Sequence, residues 1–351
     1  MPEGHTVHRL ARAFGELFTG ETLAVSSPQG RFAAGAAVLD GHVLVASEAW
    51  GKQLFLGFGD PARLAAGTTE RPDDVRWLRV HLGLYGAWTF AGDGSTAVVH
   101  AIGAPRRRIG ERETVPAGPG GAPAAGSDDA WSPPPPRGAV RVRLVGTHAV
   151  ADLTGPTACE VVTGEEKRAV EDRLGPDPIR DAAPAEGDPR EEFVTAVRRS
   201  RSPVGLLLMN QDVVAGVGNI YRAESLFRAR LDPMRPGRDV PGEHLRALWD
   251  DLVVLMREGT RTGAIVTTRP EDRDGSGTEP GTGDGPPDGA DGPPGRRRVR
   301  QNTDDAPDAV PADEAFYVYH RDGLPCRVCG TPVLLKELAG RNLYWCGVCQ
   351  A

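Results

Sequence analysis

Long apolar runs and a secretory leader are both absent from this sequence of 351 residues. No stretch approaches the roughly 18 consecutive apolar residues that a membrane-spanning helix needs. The first residues do not combine a basic region with the apolar core that is typical of a leader. We therefore expect a cytoplasmic protein that does not contact a membrane.

Cysteine is also scarce, with five residues in the whole chain. Four of them form two CxxC pairs, Cys326 with Cys329 and Cys346 with Cys349, and sixteen residues separate the pairs. This spacing favours thiolates that hold a metal over disulfide bonds. Four sulfur ligands complete a tetrahedron and leave no open position, so we predict one structural Zn²⁺ ion. Considered alone, these cysteines predict a zinc ribbon without a ligand, and Cys159 is expected to be a buried small residue.

The chain also lacks an excess of basic residues, and its formal net charge is −7. Residues 271–314 contain 12 acidic and 5 basic residues, and the rest of the chain contains 36 of each. The negative charge therefore belongs to one segment. It does not exclude a nucleic-acid partner for the folded surfaces.

The length of the chain predicts two or three domains. Apolar residues recur at i, i+3 and i+4 between Val7 and Phe18, which predicts an amphipathic helix. From about Gly41, short runs of β-forming residues separated by glycine predict an antiparallel β-sandwich or barrel. We assign residues 1–182 to this domain and expect residues 110–138, which are rich in Pro, Gly and Ala, to form a disordered loop.

The second half of the chain is predicted to be helical before the cysteines. Residues 183–190 are predicted to be a linker, and helical periodicity follows in residues 191–268. Residues 269–313 have the acidic, low-complexity composition that is typical of disorder. In the segment 314–351, apolar runs on either side of Gly340 suit a β-hairpin, and Arg341 at its tip could contact a phosphate.

Pro2 and Glu3 form the first candidate site. Removal of Met1 would expose the secondary amine of Pro2, and a free α-amine titrates near about 8. Such an amine can attack a sugar C1′ and form a cationic iminium, while the carboxylate of Glu3 serves as general acid or base. Many proteins begin with Met-Pro, so this hypothesis depends on support from the rest of the chain.

The segment from Gly216 to Asn219 is the second candidate. Two glycines allow close backbone approach, a helix start offers free N–H groups, and Asn219 adds an amide donor. Together these groups could form a cradle for phosphate. An ordinary tight connection between two helices explains the motif equally well.

A set of motifs occurs in order along the chain: Pro2-Glu3-Gly4, Gly51-Lys52-Gln53-Leu54, His81-Leu-Gly-Leu-Tyr-Gly86, Leu174-Gly-Pro-Asp-Pro178, Asn210-Gln211, Gly216-Val-Gly-Asn-Ile-Tyr-Arg-Ala-Glu224, Gly340-Arg341, Trp345-Cys346 and Cys349-Gln350. The ordered set resembles the formamidopyrimidine-DNA glycosylase and endonuclease VIII family, and more closely its actinobacterial endonuclease VIII-like branch. The resemblance covers essentially the whole chain outside its two low-complexity segments.

This resemblance implies a multidomain α and β fold. Its parts would be an N-terminal antiparallel β-sandwich with flanking helices, a helix–two-turn–helix domain and a C-terminal zinc β-hairpin with four cysteine ligands. The implied function is that of a bifunctional DNA glycosylase and AP lyase of base excision repair. Such a protein binds damaged DNA between two lobes, and we expect a monomer associated with the nucleoid that needs no cofactor besides zinc.

The resemblance also implies roles for individual residues. Pro2 would be the Schiff-base nucleophile, and Glu3 would be the acid that helps to open the sugar. Lys52 would hold phosphate near the lesion, and His81 could do likewise. Asn219 and Arg341 would clamp the phosphates that flank the flipped nucleotide.

Leu84 and Tyr85 lie where the family has a wedge that fills the space of the flipped nucleotide. Extruding a base costs a few kcal/mol, and an inserted apolar side chain recovers part of the lost stacking. Without the family context, a core pair at a strand end is the simpler explanation of these two residues.

The sequence departs from the family pattern at three places. Thr6 stands where a second carboxylate is common, so its helper role is missing or supplied elsewhere. Gly83 stands where relatives often have a larger polar residue, which would weaken readout of the opposite base. The glycine-rich lid of the 8-oxoguanine enzymes is not recognisable, and Gly263-Ala-Ile-Val-Thr-Thr268 and the acidic segment take its place. Because this lid is missing, we expect oxidised pyrimidines to be the substrates, with 8-oxoguanine or formamidopyrimidine preference as the alternative.

Two further hypotheses compete with the enzyme. One is a non-catalytic, zinc-dependent DNA-binding protein on the same scaffold. The other is a zinc-ribbon module of a protein complex, which would show no DNA affinity and no salt dependence of binding.

Overall fold

The computed structural model describes residues 2–66, 74–95, 101–104, 131–181, 187–273 and 309–351. The first part of the chain forms helices and strands in this order: α1 (Gly4–Phe18), β1 (Thr22–Ser26), α2 (Ala33–Leu39), β2 (His42–Trp50), β3 (Gln53–Gly59), α3 (Pro61–Ala65), β4 (Arg76–His81), β5 (Ala87–Gly92), β6 (Ala101–Gly103), β7 (Val140–Val145), β8 (Ala149–Thr154), β9 (Ala158–Val162) and α4 (Gly164–Glu171).

The second part is helical and ends in a hairpin. Its elements are α5 (Pro189–Arg198), α6 (Val204–Leu207), α7 (Asn219–Arg228), a 3-10 helix (Gly237–Asp239), α8 (Gly242–Thr262), a second 3-10 helix (Pro270–Asp272), β10 (Leu334–Leu338) and β11 (Arg341–Trp345). None of the helices in the described residues is both long and apolar enough to cross a membrane.

Strand β1 joins the two layers of the N-terminal lobe. It pairs antiparallel with β2 on one side and with β7 on the other. Strands β2, β3, β4 and β9 continue one layer, and β7, β8, β5 and β6 continue the other. The predicted antiparallel β-sandwich is therefore confirmed. Because Gln53 pairs with His81, the β2–β3 turn and the end of β4 lie at the same edge of the sheet.

The predicted amphipathic helix is α1, and its apolar face covers the sandwich. Leu10, Phe14 and Phe18 are fully buried, and the ring of Phe14 meets Trp88 edge-on with 4.7 Å between centroids. Burial of such side chains stabilises the lobe by roughly 1.5–3 kcal/mol each. Since α1 begins at Gly4, this packing also fixes the residues that precede it.

The helical domain forms around α8, as predicted. Leu245, Leu248, Leu252 and Met256 of this helix are buried in one apolar cluster with residues of α5 and α7. The helix ends at Gly263, whose φ of 80° is typical of a glycine that terminates a helix. Helix α5 begins at Pro189, and residues 183–186 of the predicted linker lie outside the described residues.

Glu224 of α7 connects the helical domain to the zinc segment. Its fully buried carboxylate accepts N–H bonds from Tyr317 (2.8 Å), Val318 (2.8 Å) and Tyr319 (2.7 Å), and a hydroxyl bond from Thr267 (2.5 Å). Burial raises the pKa of Glu224, and these hydrogen bonds oppose that shift. The carboxylate therefore fixes the path of the chain into the hairpin.

Of the predicted acidic segment 269–313, residues 269–273 and 309–313 are described and the rest lie outside the described residues. Residues Pro270–Asp272 form the second 3-10 helix, and the hydroxyl of Tyr317 lies 2.6 Å from a carboxylate oxygen of Asp272. The described structure thus extends past residue 268, where the helical domain was predicted to end. Of the predicted loop 110–138, only residues 131–138 are described, and these form neither helix nor strand.

We expect Glu224→Ala to lower the free energy of unfolding by about 3 kcal/mol or more, because three N–H groups lose their acceptor at about 1–3 kcal/mol each. Urea denaturation with zinc kept saturating measures the change. Glu258→Ala is the matched control, since Glu258 pairs with Arg261 on the exposed face of α8 and its loss should leave the midpoint unchanged. A wild-type midpoint for Glu224→Ala would contradict the assigned role.

Candidate active site

A cleft of about 410 Å³ lies between the sandwich, the helical domain and the zinc hairpin. Side chains from all three parts line it, among them Pro2, Lys52, His81, Leu84, Arg222 and Arg341. The structure therefore brings most of the predicted site residues together. Glu3, Tyr85 and Asn219 lie outside the lining of this cleft.

Glu3 lies behind Pro2 and is completely buried. Its carboxylate accepts N–H bonds from Gly218 (2.9 Å), Ile220 (2.8 Å) and Tyr221 (3.3 Å) at the start of α7. The first N–H groups of a helix need acceptors and carry partial positive charge, so a carboxylate is favoured there. The helix start is therefore not the open phosphate cradle that the sequence suggested, because Glu3 occupies it.

Three glycines allow the backbones of the two lobes to touch beside Pro2. The N–H of Gly4 donates to the carbonyl of Gly216 at 2.8 Å. A Cβ on Gly4 would lie 2.8 Å from Gly216 Cα, and a Cβ on Gly51 would lie 2.9 Å from Gly216 N. Neither distance is compatible with a side chain, so this approach depends on glycine at both positions. Pro2 itself is buried and forms part of the cleft wall.

Lys52 lies in the turn between β2 and β3, and its ammonium donates to the carbonyl of Val217 at 2.8 Å. Burial lowers the pKa of Lys52, Glu3 opposes the shift, and Arg341 adds to it. The turn is held by Asp177, whose carboxylate accepts the Gly51 N–H at 2.6 Å and lies 2.7 Å from His8 Nε2. Asp177 belongs to a motif in which the sequence suggested no individual role.

His81 ends β4 and lies on the cleft wall. Burial lowers its pKa, and the nearby charges of Lys52 and Arg79 lower it further. At neutral pH this imidazole is therefore an uncharged hydrogen-bonding group rather than a cation.

Leu84 and Tyr85 lie on the turn between β4 and β5, and they are 49% and 78% exposed. This exposure excludes the explanation that they form a core pair at a strand end. Gly83 precedes them with a φ of 66°, and a side chain there would collide with the hydroxyl of Thr157. The turn thus presents two large exposed side chains, of which Leu84 lines the cleft and Tyr85 lies outside its lining.

Asn219 and Arg222 hold the zinc hairpin against α7. Asn219 Nδ2 donates to the carbonyl of Asn342 at 3.0 Å, and Arg222 Nη2 donates to the same carbonyl at 2.7 Å. Arg222 also donates to the side-chain oxygen of Asn219. Both the nitrogen and the oxygen of the Asn219 side-chain amide therefore bond to the protein. We had expected this amide to clamp a phosphate directly.

Arg222 is a cleft residue that sequence analysis missed. It is fully buried, and burial lowers its pKa to about 10, with a further contribution from Arg341 and an opposing one from Glu3. The spacing of Arg222 could have indicated its place in the cleft. It follows Asn219 by three residues in a helix and therefore lies on the same helix face.

Arg341 begins β11 at the tip of the zinc hairpin, as predicted. It pairs with Leu338 across a two-residue turn in which Ala339 and Gly340 have φ values of 49° and 72°. Two positive φ angles are typical of the turn that matches the twist of a hairpin. This geometry places the exposed Arg341 side chain at the cleft.

The four predicted zinc ligands converge behind this hairpin. The sulfur atoms of Cys326, Cys329, Cys346 and Cys349 all lie within 4.8 Å of one another. Cys326 and Cys349 are separated by 3.9 Å, and Cys329 and Cys346 by 3.4 Å. A tetrahedral zinc with Zn–S bonds of about 2.3 Å has sulfur–sulfur distances of about 3.8 Å, so the residues fit this ion.

Comparison with known proteins identifies the family. The formamidopyrimidine-DNA glycosylase H2TH domain matches residues 174–270, and the zinc finger found in FPG and IleRS matches residues 323–351. Endonuclease 8 1 of Mycobacterium tuberculosis is 39% identical over 352 residues, which is 100% of both chains. The chain belongs to the formamidopyrimidine-DNA glycosylase and endonuclease VIII family.

Other members of the family resemble this chain over part of its sequence or in its fold. Formamidopyrimidine-DNA glycosylase of Thermus thermophilus is 35% identical over 178 residues, 51% of this chain and 54% of that one. The crystal structure of the MutM (Fpg) protein from Thermus thermophilus has a TM-score of 0.60 at 23% identity, with 99% of this chain and 98% of that one covered. The Lactococcus lactis Fpg in complex with DNA containing N7-benzyl-Fapy-dG has a TM-score of 0.62 at 17% identity, with 99% of both chains covered. The resemblance and the fold predicted from the motifs are confirmed.

We expect Cys326→Ser to lose bound zinc and Cys159→Ser to retain it, because Cys159 lies on β9, outside the cluster. Burial raises the pKa of Cys159 to about 12, which makes it a poor metal ligand. Zinc content after gel filtration measures the difference. Equal zinc content in the two variants would contradict the four-cysteine site.

Proposed function

We propose that Pro2 is the nucleophile of this chain, which is a DNA N-glycosylase with AP lyase activity in base excision repair. The observation that carries the proposal is the position of Pro2, which is built into the wall of the cleft between the lobes. The residues beside it, Lys52 and Arg341, are cations suited to the phosphates of DNA. Damaged DNA is therefore the proposed partner of the cleft.

The reaction begins when the amine of Pro2 attacks C1′ of a flipped nucleotide. As the N–C1′ bond forms, the glycosidic bond breaks, and its electron pair leaves with the base, which takes up a proton. The amine then loses its proton, O4′ is protonated and the C1′–O4′ bond breaks, which opens the sugar and gives the iminium. The iminium acidifies C2′, and loss of a C2′ proton drives β-elimination of the 3′ phosphate. Loss of a C4′ proton then drives δ-elimination of the 5′ phosphate. Glu3, next to Pro2 in the chain and held by α7, is proposed to transfer protons at the sugar.

The other cleft residues would bind and shape the DNA. Lys52 and Arg341 would hold phosphates, and His81 would donate a hydrogen bond as a neutral imidazole. Asn219 would act through the hairpin, because its amide fixes the strand that carries Arg341. Leu84 and Tyr85 would enter the duplex and fill the space of the flipped nucleotide.

Oxidised pyrimidines are the proposed lesions. The segment that replaces the glycine-rich lid is packed in the body of the protein, where Thr267 and Thr268 bond to the carbonyls of Ala315 and Glu314. None of the residues 263–268 lines the cleft. Within the described residues, the segment 263–268 therefore forms no lid over an extruded purine.

Three further features belong to this proposal. The cysteine cluster would hold a single Zn²⁺ ion, whose role is to fix the hairpin and Arg341 rather than to take part in the reaction. The protein would act as a monomer. Its place would be the cytoplasm, in association with the nucleoid.

We expect borohydride to trap a covalent complex between the mature protein and DNA that contains an abasic site. Pro2→Gly should reduce trapping by at least about 100-fold, since it replaces the secondary amine and disturbs its position. Binding to a tetrahydrofuran abasic analogue is the control and should change little. If Pro2→Gly is trapped as well as wild type, Pro2 is not the nucleophile. Binding without any strand cleavage by wild type would favour the non-catalytic DNA-binding protein.

We expect the double variant Leu84→Ala, Tyr85→Ala to slow excision from duplex DNA by about 10–100-fold, since the lost stacking is worth a few kcal/mol. Cleavage of an abasic site in single-stranded DNA should be unaffected, because no base remains to be flipped there. Single-turnover rates on the two substrates make the comparison. Equal losses on both would show that the two residues support the fold instead of the wedge.

A further inference from the structure

Gln211 contacts the loop of residues 216–218 on the helical side of the cleft. Its side-chain nitrogen donates to the carbonyl of Val217 at 3.1 Å and to that of Met209 at 3.3 Å. Its side-chain oxygen accepts the N–H of Gly216 at 3.0 Å. One primary amide therefore holds two successive residues of the loop.

This loop in turn contacts three groups of the proposed active site, one from each of its residues. The carbonyl of Gly216 accepts the N–H of Gly4, two residues after the nucleophile. The carbonyl of Val217 accepts the ammonium of Lys52, and the N–H of Gly218 donates to Glu3. A shift of the loop would therefore displace all three groups together.

Two of the three loop residues are glycines, so its backbone has more conformational freedom to lose than one with side chains at those positions. Gly216 has a φ of 88°, and the side chain of Val217 is buried in the helical core. Hydrogen bonds to side chains must supply much of the restraint. Gln211 supplies two of them, one with the N–H of Gly216 and one with the carbonyl of Val217.

We propose that Gln211 is a positioning residue, which holds the 216–218 loop and thereby fixes Lys52 and Glu3 relative to Pro2. This inference rests on the proposed function. Gln211 also lines the cleft, so a direct contact with the nucleotide is the competing explanation.

The charge of Lys52 offers a readout that a purely structural role would not move. The charged or titratable groups near Lys52 are Glu3, Arg341, His81 and the amine of Pro2. A carboxylate introduced at position 211 would lie beside the Val217 carbonyl and favour the ammonium form, which raises the pKa of Lys52. Since Lys52 must be charged to hold phosphate, the basic limb of the pH–rate profile should move to higher pH in Gln211→Glu.

The experiment compares Gln211→Met and Gln211→Glu with the neighbouring control Asn210→Ala. Asn210 is exposed, and its side chain accepts the N–H of Asp212, which lies outside the 216–218 loop. We expect Gln211→Met to lower the single-turnover cleavage rate at an abasic site by about 10–100-fold, because a displacement of about 1 Å can cost 10²-fold. The affinity for the tetrahydrofuran analogue should change by less than about threefold, and Asn210→Ala should match wild type.

Three results would overturn the inference. The first is a wild-type cleavage rate in both Gln211 variants. The second is an equal loss of rate and of affinity in Gln211→Met, which indicates direct contact with the nucleotide. The third is a pH–rate profile of Gln211→Glu whose basic limb has not moved. If Gln211→Met fails to fold, as judged by circular dichroism and zinc content, Gln211→Asn replaces it. Asn keeps the amide but is one methylene shorter and should show a smaller loss of rate. Failure of the proposed function is recognised separately, because wild-type protein would then form no borohydride adduct.

Discussion

The contact between the Glu3 carboxylate and the start of α7 is the constraint on which the active site depends. Terminal residues of a domain are mobile unless they are tied down. Here the third residue takes up three N–H groups of a helix that begins more than 200 positions later in the chain. The same contact joins the sandwich to the helical domain. It therefore holds the two sides of the cleft together and fixes Pro2 in the cleft wall.

The electrostatics of the cleft follow from the burial of its basic groups. Burial is the largest cause that lowers the pKa of the cations Lys52 and Arg222, and Arg341 lies close enough to lower both values further. Burial also lowers the pKa of His81, which is uncharged at neutral pH. Cations held close together with little water are stabilised when an anion arrives. Glu3 provides part of that compensation within the protein, and a phosphate would provide the rest.

Much of the fold could be predicted from the sequence, because periodicity and spacing are local properties. The apolar face of α1, the β-runs of the sandwich and the spacing of Cys326, Cys329, Cys346 and Cys349 all indicated the elements that the structure contains. The partners of single polar groups could not be predicted in the same way. Nothing near Gly218 shows that a carboxylate 215 positions earlier fills the helix start, and nothing near Gly51 shows that Asp177 fixes its turn. Of the two explanations offered for residues 216–219, the open phosphate cradle does not fit, because Glu3 fills the helix start. Arg222 and Gln211 were overlooked, since their contacts exist only once distant segments meet.

The burial of Pro2 and Gly4 has a practical consequence for the preparation of this protein. The N–H of Gly4 is committed to Gly216 and Pro2 forms part of the cleft wall, so an extension ahead of Pro2 would start at the cleft. A purification tag attached there would obstruct the groove proposed for DNA. Incomplete removal of the tag would leave an amide in place of the amine that the proposed reaction uses. Ala351, at the opposite end, is exposed to solvent and offers the safer point of attachment.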